Sequence, residues 1–122
     1  MTSVQPKKQR KILYAGELHI VRKNLGSHLS KELRTKYKKR SMVIHTGDTV
    51  KIMCGKFEGK SGKVEKVHIK KCEVFVEGAQ VTKANGQKSK VPLHPSNLMI
   101  TELNLSDKLR KEILEKGRVK NE

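Results

Sequence analysis

The chain has 122 residues, of which 34% are hydrophobic and 3% aromatic, and its 28 basic and 12 acidic residues give a net charge of +16. So few apolar residues predict one small aliphatic core, because globular chains usually contain about 45–50% apolar residues, glycine included. The charge predicts a polyanionic partner that neutralises it. The apolar runs are too short for a membrane span or a secretory signal, and two cysteines fit a reducing compartment, so we predict a cytoplasmic protein without a membrane partner.

The charge is distributed unevenly, and it divides the chain into three predicted domains. Residues 1–40 hold 12 basic and 2 acidic residues, and they are predicted to form a basic N-terminal arm with short helices. Residues 41–103 carry a net charge of +4 and are predicted to form a small barrel. Residues 104–122 carry +2 and are predicted to form a C-terminal helix and tail.

The N-terminal region begins with a polar and basic segment, residues 1–12, which is predicted to have no fixed structure until it binds a partner. A short helix is predicted over residues 15–25, where apolar residues recur at helical spacing. Ser30 is suited to cap a second helix over residues 31–37, because a serine hydroxyl accepts a hydrogen bond from a first-turn N–H group.

The centre of the chain, residues 47–78, carries apolar residues at alternate positions around a glycine-rich turn, a pattern typical of short antiparallel strands. Val64 and Val67 have opposite parity, so a β-bulge near Glu65–Lys66 is needed to bury both. The Asn85-Gly86 pair is a strong hairpin signal. After an extended segment at residues 41–45, strands are predicted at residues 49–54, about 64–69, 72–77, 80–83, 89–93 and 97–101. We therefore predict a mainly β fold.

A final helix is predicted over residues 107–116, with Ser106 as its N-cap and Gly117 as its C-cap. The side chains expected on its apolar face are Leu109, Ile113 and Leu114. Residues 118–122 are expected to be frayed.

Several motifs that could carry chemistry fail on inspection. Gly59-Lys60-Ser61 resembles the end of a phosphate-binding loop, but Cys54 stands where that loop needs a glycine, and a strand is predicted where it needs a helix. Cys54 and Cys72 form no paired metal-ligand motif, so we predict no metal site and interpret both as buried or half-exposed strand thiols. Most of the acidic residues assigned to the barrel alternate with apolar residues, and the group is therefore assigned to a solvated face. They are Asp48, Glu58, Glu65, Glu73 and Glu77. We find no catalytic constellation, so we expect no enzyme, no cofactor and no small-molecule substrate.

All ten basic residues within residues 41–103 are lysines, which act as point charges on phosphate, whereas arginine supplies bidentate and stacking contacts. This composition favours recognition of backbone and shape by the barrel, with finer contacts from the N-terminal arm. Two interpretations of Gly55, Gly59 and Gly62 remain open. They permit tight turns, or they let an RNA backbone approach closely.

The spacing Val50-x-Ile52-x-x-Gly55-x-Phe57-x-Gly59-x-x-Gly62-x-Val64 resembles the KOW motif, a glycine-centred hairpin of small SH3-like barrels. Transcription elongation factors also carry this motif, so the flanking residues decide. The flanks are Leu29-Ser30-Lys31-Glu32-Leu33-Arg34, Lys36-Tyr37 and Arg40-Ser41 before the motif, and His94-Pro95-Ser96-Asn97 after it. Together they resemble the universal large-subunit ribosomal protein twenty-four family in its archaeal and eukaryotic form, and the short tail favours the archaeal form. The resemblance covers about residues 15–105.

The resemblance implies an SH3-like barrel bound to large-subunit ribosomal RNA near its 5′ region, close to the peptide exit tunnel. It also implies an early role in subunit assembly, with neighbouring large-subunit ribosomal proteins as partners. The RNA-binding residues that it implies are Ser30, Lys31, Arg34, Lys36, Tyr37, Arg40, Ser41, Gly55, Lys56, Gly59, Lys60 and Gly62. His94, Ser96 and Asn97 match the exit motif of the family and are included in the predicted set, with a role in RNA binding or in the fold left open. Lysines in and beside these segments complete the predicted set: Lys38, Lys39, Lys63, Lys88 and Lys90. The chain departs from the family at Cys54, where members commonly carry a basic residue, and no RNA contact is assigned there.

Two other functional classes are weighed against this one. A KOW-bearing transcription factor usually has a separate α/β domain before the barrel, and residues 1–40 are too short and too basic for one. An enzyme would need a metal site or a catalytic triad. If the leading interpretation is right, deleting residues 1–40 is expected to leave a folded barrel that has lost much of its RNA affinity.

Overall fold

The computed structural model describes residues 3–119, with the backbone alone for residues 117–119. The helices of this part of the chain are α1 (Pro6–Ala15), α2 (Leu18–Val21), α3 (Lys31–Tyr37) and α4 (Lys108–Val119). The strands are β1 (Gly26–Leu29), β2 (Ser41–Val43), β3 (Thr49–Ile52), β4 (Ser61–His68), β5 (Glu73–Val76), β6 (Gln80–Thr82), β7 (Lys88–Lys90) and β8 (Leu98–Glu102). Short 3₁₀ helices occupy Arg22–Leu25 and Pro95–Asn97.

Six of the strands form one sheet in the order β2-β1-β8-β3-β4-β5, and β6 pairs with β7 in a separate hairpin. Strands β1 and β8 run parallel, and the other neighbouring strands are antiparallel. Short strands with a bulge curl such a sheet into a small barrel. The predicted fold, mainly β with an SH3-like barrel, short N-terminal helices and a C-terminal helix, is confirmed.

The core is aliphatic, as the composition predicted. The apolar strand residues that are at most 2% exposed are Leu29, Val50, Ile52, Val64, Val74, Val76, Leu98 and Ile100. Burying an aliphatic side chain of this size stabilises the fold by about 1.5–3 kcal/mol. The meander of residues 47–78 supplies half of the main hydrophobic core, and the segments before and after it supply the rest.

Two local predictions within the meander and the following hairpin are confirmed. The pairing of β4 with β5 shifts register between Val64 and Lys66, which is the expected bulge. Asn85-Gly86 closes the β6–β7 hairpin, where Gly86 has φ +81° and Asn85 Oδ1 accepts a hydrogen bond from Gln87 N at 3.2 Å. Lys83 N donates to Gln87 O at 2.8 Å and Gly86 N donates to Lys83 O at 2.9 Å, so the loop has three residues and only its last one, Gly86, needs a positive φ.

Strand β1 was not predicted. It pairs with β2 through Gly26 and Val43 and with β8 through Leu29 and Ile100. Its sequence, Gly-Ser-His-Leu, contains no β-branched residue to indicate a strand. Leu29 is fully buried in the barrel core, so the sheet draws strands from both sides of the predicted boundary at residue 41.

The N-terminal arm is helical where no fixed structure was predicted. Helix α1 begins at Pro6, whose fixed φ suits a first helical position, and none of its residues is buried. Helix α1 is capped at its C-terminus by Gly16, whose backbone is extended and whose N donates to Ile12 O at 3.0 Å. A Cβ at Gly16 would lie 2.3 Å from Ile12 O, so this position favours glycine. Within the helix predicted over residues 15–25, only α2 is a separate α-helix, and a 3₁₀ helix follows it at Arg22–Leu25. Among the described residues, no helix is both long and apolar enough to cross a bilayer.

Helix α4 differs from its prediction at both ends and in its buried face. Asp107, and not Ser106, caps it, because Asp107 Oδ1 accepts a hydrogen bond from Leu109 N at 3.0 Å. Gly117 lies inside the helix, which continues to Val119; of the residues predicted to be frayed, 120–122 lie outside the described part. The buried side chains are Arg110 and Leu114, whereas Leu109 and Ile113 are 67% and 50% exposed.

Candidate nucleic-acid interface

The turn between β3 and β4 is the KOW hairpin, and its backbone is held by its own hydrogen bonds. Gly59 N donates to Ile52 O at 2.9 Å, and Ile52 N donates to Lys60 O at 2.8 Å. The aromatic ring of Phe57, a residue only 7% exposed, packs into the core and anchors the turn from below. The conformation of the turn is therefore fixed before any partner binds.

The three glycines of the turn are required for different structural reasons. Gly55 and Gly59 have φ values of +97° and +81°, which favour glycine, and a Cβ added to either would meet nothing within 4 Å. A Cβ on Gly62 would lie 2.3 Å from Glu77 O, so Gly62 permits close packing of β4 against the chain after β5. The close-approach interpretation thus remains open for Gly55 and Gly59, whereas Gly62 is explained by packing within the protein.

The lysines of the turn are exposed. Lys56 and Lys63 point to solvent, and Lys60 Nζ lies 5.3 Å from the centroid of the Phe57 ring. Among the described residues, no carboxylate forms an ion pair with these three lysines. Their charges are therefore available to an external anion.

The structure also settles the two motifs that failed on inspection of the sequence. Strand β4 begins at Ser61, so no helix follows Gly59-Lys60-Ser61 and the phosphate-loop interpretation is excluded. Cys54 lies exposed in the turn, where a strand thiol was predicted, because β3 ends at Ile52. Cys72 is half-buried just before β5. Residues 3–119 contain no cluster of three or more potential metal-ligating side chains.

Helix α3 presents the second basic segment, and three of its predicted RNA-binding residues also have structural roles within the protein. Ser30 caps the helix as predicted, since its Oγ accepts from Leu33 N at 3.4 Å, and Ser30 N donates to Ile100 O at 2.9 Å. Tyr37 is only 8% exposed, so its ring offers little area for stacking on a base. Arg34 Nε donates to Leu29 O at 2.8 Å, which fixes the direction of the half-buried guanidinium.

The remaining residues of the α3 segment divide by exposure. The exposed ones are Lys31, Lys36, Lys38, Arg40 and Ser41. Lys38 ends α3 in the left-handed conformation, with φ +51°. Lys39 is half-buried, and its Nζ donates to Ile113 O of α4, so its charge is engaged inside the protein.

The β6–β7 hairpin carries two predicted residues with different surroundings. Lys90 forms an ion pair with Glu65 of β4, which reduces its value as a phosphate contact. Lys88 is exposed and has no ion-pair partner among the described residues.

The His94-Pro95-Ser96-Asn97 motif joins the other two segments. Asn97 O accepts from Met53 N of the KOW turn at 2.8 Å, and Pro95 O accepts from Ser27 Oγ of β1 at 2.8 Å. His94 Nδ1 accepts from Ser96 N at 3.3 Å and so caps the 3₁₀ helix. The segment from Pro95 to Ile100 thus contacts both the KOW turn and the start of α3. Ser27, only 1% exposed, belongs to this junction and was missed by the sequence prediction.

A buried ion pair lies beside this surface and corrects the assignment of Asp48 to a solvated face. Asp48 and Arg110 are 0% and 2% exposed, and their four terminal atoms pair at 2.6 Å and 2.7 Å. Asp48 also accepts hydrogen bonds from His45 N at 2.9 Å and Asn104 N at 2.8 Å. A signal was present in the sequence, because Asp48 has the same parity as the buried Val50 and Ile52.

His45 lies next to this pair. Its burial, and then the positive charges of Arg110 and Arg22, lower the pKa of His45 below its ordinary value of 6.5. Arg22 Nη2 lies 2.9 Å from His45 Nε2, and because a guanidinium only donates, this ring nitrogen accepts. The imidazole is therefore held in its neutral form by its surroundings.

Fold and surface together define a small KOW-type β protein whose glycine turn and capped basic helix are joined through one short segment. Residues 3–117 match the family described as the eukaryotic ribosomal protein L26 and its archaeal counterpart, ribosomal protein L24, and the chain belongs to this family. It is also similar to the large ribosomal subunit protein uL24 of Pyrobaculum islandicum, with 43% identity over 115 residues that cover 94% of each chain. The predicted family, in its archaeal form, is confirmed. Membership of this family also confirms the prediction of a structural ribosomal protein that is not an enzyme.

Proposed function

We propose that this protein is a constituent of the large ribosomal subunit and binds large-subunit ribosomal RNA through phosphate contacts. The single observation that carries the proposal is the KOW turn, where an ordered backbone presents Lys56 and Lys60 without any carboxylate partner among the described residues. A rigid turn loses little conformational entropy on binding, so more of its electrostatic attraction remains as affinity. The net charge of +16 supplies the long-range attraction.

The exposed backbone at Gly55 and Gly59 supports a close approach of RNA. Open space surrounds the position of a Cβ at each glycine, so a ribose-phosphate strand can lie against the turn. Lys56 and Lys60 lie beside these two glycines in the sequence, so their side chains are placed to neutralise the phosphate charge of an RNA strand that lies against the turn. Contacts of this kind fix the position of RNA without selecting a base sequence.

The exposed cations of the α3 segment extend the proposed surface. Lys31, Lys36, Lys38 and Arg40 are exposed, and the chain from Pro95 to Ile100 connects α3 with the KOW turn. We therefore assign RNA contacts first to these residues, to the KOW turn and to Lys88. We assign supporting roles to Tyr37, Lys39 and Gly62, which the protein itself engages.

The finer features of the proposal rest on the family resemblance. They are an early role in subunit assembly, a position near the peptide exit tunnel, and contacts with neighbouring large-subunit proteins. The same resemblance supports a ribosome-bound, cytoplasmic location. We also propose that residues 1–40, 41–103 and 104–122 act as arm, barrel and tail, although β1 of the arm lies in the sheet.

A salt titration tests the RNA contacts. The full chain is bound to a transcript of the 5′ region of large-subunit ribosomal RNA, and affinity is measured against salt concentration. The double variant Lys56→Ala, Lys60→Ala is expected to reduce the slope of log affinity against log salt by about 1.5, since each phosphate contact contributes about 0.7–0.9.

The matched control removes two exposed lysines of α4, in the variant Lys108→Ala, Lys116→Ala. This control has the same net charge as the double variant of the KOW turn, and it is expected to keep the salt slope of the parent. Equal slopes for the two double variants would show that total charge, and not the KOW turn, governs binding, and would reject the proposal.

A further inference from the structure

A groove with aliphatic walls lies between α4, β2 and the α2 region, and none of its lining residues is among those predicted to bind RNA. Its volume is about 320 Å³, and its lining includes Met42 and Val43 of β2 and Leu109 and Ile113 of α4. Leu109 and Ile113 are apolar but 67% and 50% exposed. They lie one helical turn apart, so together they form a continuous apolar edge of α4. The apolar edge along α4 and β2 is therefore open to water, and the sides formed by the α2 region are basic or carry histidine.

The walls of the groove are fixed in place. Helix α4 is held to the barrel by the buried pair of Arg110 and Asp48, and Arg110 also donates to Val43 O at 3.1 Å. On the other side, the contact between Arg22 and His45 holds the guanidinium at the rim. The groove therefore exists in the free protein and does not need a partner to form it.

The rim is predominantly positive. Arg22 and Lys23 are exposed at one side, and Asp107 is the only acidic residue among the described lining residues. One oxygen of Asp107 already accepts the Leu109 N–H bond that caps α4. An occupant with carboxylates beside its apolar anchors therefore matches the charge of the rim, and the net charge of +16 repels a basic one.

We propose that this groove binds an acidic amphipathic helix of another protein, with two aliphatic side chains inserted between α4 and β2. An apolar cavity of about 150 Å³ holds a benzene-sized group, so about 320 Å³ accommodates two aliphatic anchors. In the helix-in-groove mode, an amphipathic helix lays apolar anchors on one face, spaced at positions such as i and i+4, into an apolar groove. A second copy of this chain does not fit, because two surfaces of +16 repel each other.

The test uses the full chain and a fluorescent synthetic helix of about 16 residues, with leucines at i and i+4 flanked by glutamates. Binding is measured by fluorescence anisotropy. Ile113→Asp is expected to weaken binding about tenfold, which corresponds to the loss of one interface anchor. Leu13→Asp is the matched control, because Leu13 is a 53% exposed apolar residue of α1 with the same change of charge, and it is expected to bind like the parent.

Two further arms decide between occupants. A peptide in which lysines replace the glutamates is expected to bind at least about tenfold more weakly, and Lys23→Glu, which leaves all buried residues intact, should weaken the acidic peptide. Equal binding by the parent and Ile113→Asp, or by the acidic and basic peptides, would overturn the proposal. The proposal would also be overturned if the free chain formed a dimer. The same holds if Ile113→Asp weakened binding of an RNA transcript but not binding of the acidic peptide. Ile113→Asp is expected to bind RNA as the parent does. The outcome of this test is therefore independent of the test of the proposed function.

Discussion

Arg110 of the C-terminal helix and Asp48 of the β2–β3 loop form a fully buried, bidentate ion pair, with N–O distances of 2.6 Å and 2.7 Å. The pair joins parts of the chain that lie 62 positions apart. The two carboxylate oxygens also accept from His45 N and Asn104 N, so one side chain organises three segments. The tail helix is therefore part of the folded unit and not an appendage to the barrel.

Removing Arg110 is expected to destabilise the fold strongly. The variant Arg110→Ala leaves the Asp48 charge buried without its partner, which costs about 3–5 kcal/mol of the free energy of unfolding. Urea denaturation measures the change. The exposed neighbour Lys111 supplies the control, and Lys111→Ala is expected to change stability by less than about 0.5 kcal/mol. The double variant Asp48→Ala, Arg110→Ala should not recover the parent stability, because His45 N and Asn104 N then lose their acceptor.

Stability is expected to depend on pH through His45. Its pKa in the folded chain is lowered by burial and by Arg110 and Arg22, whereas the unfolded chain titrates near the ordinary value of 6.5. As pH falls below about 6.5 the unfolded state binds the proton first, so the free energy of unfolding decreases until the folded pKa is reached. His45→Gln should remove this part of the pH dependence. An NMR titration that places the folded pKa of His45 above 6.5 would contradict the account.

The glycines of the KOW turn are expected to separate stability from RNA binding. Gly62→Ala places a Cβ against Glu77 O, so it should lower the free energy of unfolding by about 1–3 kcal/mol. Gly59→Ala meets no atom but imposes a positive φ on alanine, with a cost of about 1–2 kcal/mol. At temperatures where both variants remain folded, only Gly59→Ala is expected to weaken RNA binding. An equal loss of RNA affinity in both would indicate that the turn acts through stability alone.

Truncation tests how the N-terminal residues divide between arm and barrel. Deleting residues 1–16 removes α1, which has no buried residue, and is expected to leave a cooperative unfolding transition. Deleting residues 1–40 removes Leu25, Leu29 and Tyr37 from the interior, so this chain is now expected not to fold. The earlier expectation of a folded barrel after that deletion ignored β1. A cooperative transition in the shorter chain would show that β1 is dispensable.

The sequence allowed the meander to be predicted closely because its signals are local. Alternating valines, the parity break at Val64 and Val67, and the Asn85-Gly86 turn each act within a few residues. Strand β1 and the partner of Asp48 could not be predicted in that way, since both depend on contacts with residues more than 60 positions away. In the candidate site, Lys56 and Lys60 are exposed, whereas Tyr37 and Lys39 are partly or largely covered by other parts of the protein. No sequence pattern indicates which side chains another element will cover.

Crosslinking of the protein to ribosomal RNA within assembled large subunits, followed by mass spectrometry of the crosslinked peptides, is the strongest test of the proposed RNA interface. We expect adducts in the KOW turn, at Lys56 and Lys60, and in the exposed part of the α3 segment, with few at the buried Tyr37. Adducts confined to α1 and α4, with none in the KOW turn, would contradict the proposed RNA interface.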